Sequence, residues 1–174
     1  MSMNRIILLM LLLFVIEGAV MPWIIPAGFG SRIIPHFIFV AVIFAALYSG
    51  RHRALLLGVS FGFLQDVVYF GHLMGANAFV MGLIGYFTGM LLERRRATLM
   101  MAISIIGFAC IVYDTAIFFI YKVFRITSET YAWALLNHIL PSLFLQLAFA
   151  LVCYVPARRL FEGQSLVNPD KDEE

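Results

Sequence analysis

Three acidic side chains lie inside long apolar runs of the sequence: Glu17, Asp66 and Asp114. An ionisable group at membrane depth costs several kcal/mol unless it faces other helices or water, so each needs a partner or a function. Two carboxylates such as Asp66 and Asp114, sharing a proton, could supply acid and base steps. Ser142 follows His138 by one helical turn, a spacing at which an imidazole can activate a hydroxyl. Neither arrangement is complete. No nucleophile-elbow sequence frames Ser142, and no His, Cys, Asp or Glu cluster has metal-ligand spacing. Cys110 and Cys153 fall at different expected depths, which disfavours a disulfide. Catalysis, a metal and any other cofactor are therefore not expected.

Packing accounts for more. In Gly58-Val-Ser-Phe-Gly62-Phe-Leu-Gln-Asp66 the two glycines and the acid stand at i, i+4 and i+8, so a groove of bare backbone leads along one helix face to a carboxylate. Small residues at four-residue spacing are the ordinary device for close helix approach in lipid. Gly82, Gly85 and Gly89 share a face of the next apolar run and are expected to meet a neighbouring helix, with the Gly58–Gly62 face as the natural partner.

The elements that position these residues follow from composition. Of 174 residues 63% are hydrophobic and 13% charged, whereas a soluble domain is nearer half apolar and a quarter charged, so the chain reads as an all-α integral membrane protein. Apolar runs predict six transmembrane helices, at about 5–21, 33–48, 54–70, 78–92, 98–121 and 132–155, forming one domain over residues 1–160. Residues 161–174 read as a disordered cytoplasmic tail. The first run is expected to be retained, not cleaved as a signal peptide, because an acid such as Glu17 suits a helix bundle better than a signal sequence. Pro22 to Arg32 reads as an irregular turn. With both termini inside, nine of the twelve Lys and Arg fall on the inner side, a clear positive-inside bias that predicts an N-in, C-in topology. The net charge of +2 gives no sign of nucleic-acid binding.

On that topology Asp66 lies roughly 20 Å, Asp114 roughly 25 Å and Glu17 roughly 17 Å from the inner face, all in the outer half. His36, Asn77, Asn137 and His138 lie near the outer helix ends. An outer-half polar cluster of Glu17, Asp66, Asp114, Asn137 and His138 is expected, in competition with residues satisfied separately. His138 is expected to bond the Asn137 carbonyl, which Pro141 leaves without its usual donor.

The order of motifs, Gly58-x3-Gly62-x3-Asp66, then Gly71-x3-Gly75, Asp114 in the fifth span, Asn137-x3-Pro141 in the sixth and Pro156 before a basic tail, resembles the rod shape-determining MreD family over essentially the whole chain. The turn after Asp66 is slightly longer than the family pattern and adds His72. The resemblance implies a non-catalytic, multi-pass scaffold in the bacterial cytoplasmic (inner) membrane, within the cell-wall elongation machinery. Its implied partners are a single-span MreC-like protein, through it MreB, RodA and a penicillin-binding protein, and membrane lipid. It also implies similarity in fold to the substrate-binding S components of energy-coupling-factor vitamin transporters, with Glu17, Asp66, Asp114 and His138 around a vestigial or repurposed pocket. An S-component-like subunit of a vitamin transporter is accordingly the alternative, although fold alone does not make a transporter. Val112-Tyr113-Asp114 has a faint likeness to the YD element of intramembrane aspartyl proteases, but their glycine-aspartate signature is missing, since Phe-Leu-Gln precedes Asp66.

Overall fold

The computed structural model describes residues 3–20, 23, 36–69, 73–92 and 98–162, and every regular element among them is helical. Helix α1 (Met3–Val15) runs directly into a π-helical turn, Ile16–Val20. It is followed by α2 (Phe37–Ser49), α3 (Arg51–Val68), α4 (Ala76–Leu92) and α5 (Leu99–Val123). Helix α6 opens as Tyr131–Ala134, widens into a π-helical turn at Leu135–Ile139 and resumes as Leu140–Glu162. Two stretches, Leu99–Val123 and Tyr131–Ala157, are long and apolar enough to cross a membrane by length and composition, and Ile6–Ala19, Phe37–Ser49 and Ala76–Leu92 are shorter apolar helices. The expected linker from Pro22 to Arg32, the turn residues Gly71 and His72, the arginines 94–96 and the tail from residue 163 lie outside the described residues, Trp23 apart.

Helix α2 organises the rest. Its sequence carries no charged side chain and is apolar on every face, the pattern of a helix enclosed by others. It contacts all five other helices, and ten of its thirteen residues are buried. One side joins Phe39, Ile43 and Leu47 to Met81, Ile106, Tyr113 and Tyr154, and the other joins Ile38, Val42 and Ala45 to Ile6, Met10, Leu57 and Phe61. Gly50, at φ 89°, reverses the chain into α3 without further linker residues, a left-handed conformation that glycine adopts at little cost.

Helices α3 and α4 form an antiparallel hairpin in which backbone meets backbone. A Cβ at Gly58 would lie 2.8 Å from the Met81 carbonyl oxygen, one at Gly62 2.6 Å from Ala78 Cα, and one at Gly89 2.6 Å from Arg51 Cα. Gly82 receives Val59, and Gly85 lies over Val42 and Ala54. The three glycines of α4 therefore turn to α3 and to α2 behind it.

In α6 the difficulty at Pro141 is resolved by the backbone. Proline has no N–H for the carbonyl four residues back, and the preceding turn is wide: the Leu140 N–H bonds the Leu135 carbonyl, five residues away. The expected bond from His138 to the Asn137 carbonyl is absent. His138 Nδ1 has no hydrogen-bond partner, and the ring stands edge-on to Trp133 with centroids 5.1 Å apart. Pro156 lies within the helix, not at its end.

Candidate functional site

Helices α2 and α4 begin at the same end of the bundle, and their first N–H groups have no acceptor within their own helix. Carboxylates from neighbouring helices supply them. Glu17, in the π-helical turn after α1, accepts from the Ile38 N–H at 3.1 Å and from the Gln65 side-chain amide at 2.8 Å. Asp66 Oδ2 accepts from the backbone N–H groups of Gly75 at 3.0 Å and Ala78 at 3.2 Å, while Oδ1 accepts from Asn77 Nδ2 at 2.9 Å. Each carboxyl group thus sits at the positive end of a helix dipole, a favourable place for its oxygens. Both acids are buried, at 7% and 1% exposure, so these bonds replace the water that each has lost.

From Asp66 the polar contacts run across the bundle. Tyr113 donates its hydroxyl to Asn77 Oδ1 at 2.6 Å, and its ring stacks on Phe39 with centroids 4.5 Å apart. The edge of Tyr113 meets the His36 ring at 5.0 Å, and His36 Nε2 faces Asp114 Oδ1 at 3.7 Å. Asp66 and Asp114 share no direct hydrogen bond. Asn77, Tyr113 and His36 stand between them, which is not the geometry of two carboxylates holding one proton.

Asp114 differs from the other acids. Its Oδ2 is buried without a hydrogen-bond partner, as are Nδ1 of His36 and Nδ1 of His138. All three residues line one cavity of about 210 Å³ between the start of α2, the upper part of α5 and the start of α6. Ile117, Phe118, Tyr121, Ala134 and Ile139 make up its apolar wall, with Ser142 below and Thr127 and Glu129 on the α5–α6 connection. His138, Ser142 and Gln146 follow at four-residue intervals on one face of α6. Gln146 is fully buried, with both side-chain amide atoms unpartnered.

The five residues expected to cluster are therefore distributed over separate arrangements. Glu17 holds α2 to α3, and Asp66 closes the α3–α4 hairpin. Asp114 and His138 share the cavity. Asn137 donates to the Trp133 carbonyl at 3.1 Å within its own helix and joins neither. Gln65, Tyr113 and His36 carry contacts that spacing did not assign to them. A glutamine beside Asp66 in an apolar helix was the available signal for Gln65, since an amide at that depth also requires a partner. Among the described residues no group of three or more His, Cys, Asp or Glu is placed to hold a metal ion.

The sequence model of the family described as rod shape-determining protein MreD matches residues 2–162. Comparison with curated proteins and with solved structures returned no match.

Proposed function

Since the chain belongs to the family of rod shape-determining protein MreD, a family of cell-shape-determining bacterial membrane proteins, we propose that it is a non-catalytic scaffold of the cell-wall elongation complex. It acts by binding a single-span MreC-like protein and, through it, by linking MreB to RodA and the penicillin-binding protein. The observation that carries this reading is the extent of the family match, which takes in all six helices. The geometry supports it from a second side. Glu17 and Asp66 are engaged in holding helices in register, the task of a scaffold.

The proposal includes the arrangement in the membrane: one domain of six spans over residues 1–160 in the inner membrane, both termini cytoplasmic, with the last helix continuing to Glu162. The nine-to-three division of basic residues favours this orientation. The glycines at 58, 62, 82, 85 and 89 serve internal packing in this reading, which leaves the outward faces of the bundle for partner and lipid.

Affinity purification of the tagged chain from its own membranes tests the assignment. An MreC-like single-span protein is expected in near-stoichiometric amount, and its absence under mild extraction would overturn the scaffold reading. The cavity at Asp114 favours a second reading, a likeness to the S components of vitamin transporters. Stabilisation by a vitamin, without recovery of the partner, would replace the first reading with this one.

A further inference from the structure

We propose that the cavity at Asp114 receives a primary ammonium group, carried either by an ethanolamine lipid headgroup or by a small free amine. Of the three acids within apolar helices, Asp114 alone, itself only partly buried, keeps an enclosed carboxylate oxygen without a partner. A neutral His36 that turns its Nε2 hydrogen towards this carboxylate leaves Nδ1 as an acceptor, and that atom also has no partner. His138 Nδ1 makes a third unfilled position on the same wall. Two acceptors and a second imidazole nitrogen match a ligand that brings several N–H donors from one atom, which an ammonium group does.

Charge and shape agree with the hydrogen-bonding inventory. A second acidic residue, Glu129, is among those lining the cavity, and among the described residues no Lys or Arg is. Lys122 is engaged at the rim of the cavity, donating to the Glu129 carbonyl at 3.1 Å with its nitrogen 5.5 Å from the Phe118 ring centre, and is not among the residues that line it. Tyr121 adds a second aromatic side chain to the wall, and an aromatic wall favours a cation. Water would fill the hydrogen bonds but would bring no positive charge to Asp114. A volume of about 210 Å³ admits an ethanolamine-sized group. The inference is independent of the scaffold reading, because it concerns a cavity inside the chain and not a partner.

The test uses the full-length chain, with thermal unfolding as the readout. In detergent, ethanolamine is expected to raise the midpoint by about 2–4 °C, and choline, which has no N–H, by clearly less. In nanodiscs, phosphatidylethanolamine with phosphatidylglycerol is compared with phosphatidylglycerol alone. A rise with the lipid but not with ethanolamine assigns the headgroup as the source, and a rise with ethanolamine in the absence of that lipid assigns a free amine. Asp114→Asn is expected to abolish either response. Should that variant not fold, Glu129→Gln, at an exposed position, is expected to diminish it. No response to either probe, a response to choline equal to that to ethanolamine, or an undiminished response in the folded variant would overturn the proposal. Recovery of the MreC-like partner from the same preparations distinguishes this failure from failure of the scaffold reading.

Discussion

Glu17 of the first helix accepts a hydrogen bond from the backbone N–H of Ile38 at the start of the second, 21 residues later. The acid caps a helix to which it does not belong, and Gln65 holds its other oxygen. Glu17→Ala leaves the Ile38 N–H and the Gln65 amide buried without an acceptor. The expected loss is about 2–4 kcal/mol, with a smaller loss for Glu17→Gln, which keeps one acceptor oxygen. Reversible unfolding in mixed micelles measures it, and an unchanged midpoint for Glu17→Ala would refute the capping role.

The glycine contacts predict a contrast between two substitutions of the same kind. At Gly62 a new methyl meets the backbone of Ala78, which cannot move unless the hairpin opens, so Gly62→Ala should cost about 1–3 kcal/mol. At Gly107 the nearest atom is the end of the Leu147 side chain at 3.3 Å, and the gain in helix propensity of about 1 kcal/mol is available there. Gly107→Ala is therefore expected to be neutral or stabilising. Equal effects at the two positions would contradict the packing.

Tyr113 and Asn77 form the link between the α3–α4 hairpin and α5. Tyr113→Phe and Asn77→Ala, with the double variant, should show a coupling of about 1 kcal/mol in a double-mutant cycle. Simple additivity would mean that the hydroxyl and the amide act separately.

Orientation in the membrane is open to direct labelling. In a chain whose Cys110 and Cys153 are replaced by alanine, a cysteine at Met74 or Ser128 is expected to react with an impermeant maleimide in intact spheroplasts. One at Arg53 should react only after the membrane is opened. The reverse pattern would invert the topology drawn from the arginines.

Legibility in the sequence varied with the range of the interaction. The Gly58–Gly62 face was readable because helical spacing alone puts the two on one side, and small residues have few other uses there. That Glu17, Asp66 and Asp114 would lie towards one end followed from counting residues along each apolar run. Their partners did not follow. Whether an acid caps a neighbouring helix depends on where that helix begins, and Glu17 finds Gln65 across 48 residues. The π-helical turn at Leu135–Ile139 was likewise hidden, since Pro141 announces a missing N–H but not how the backbone compensates for it. The central place of α2 left a trace, a run from Phe37 to Leu47 without a polar side chain, but enclosure is decided by the other five helices.

The close hairpin of α3 and α4 also bears on the order in which the chain assembles during synthesis. Its contacts join neighbours in sequence, so the two helices can settle together as soon as Ala78 and Met81 have been made after Gly58 and Gly62. The first helix must wait longer, since Glu17 has no Gln65 to hold it until the third helix has been made. On this order of synthesis the α3–α4 hairpin can close before α1 is fastened, because the Glu17–Gln65 contact requires a residue made 48 positions later.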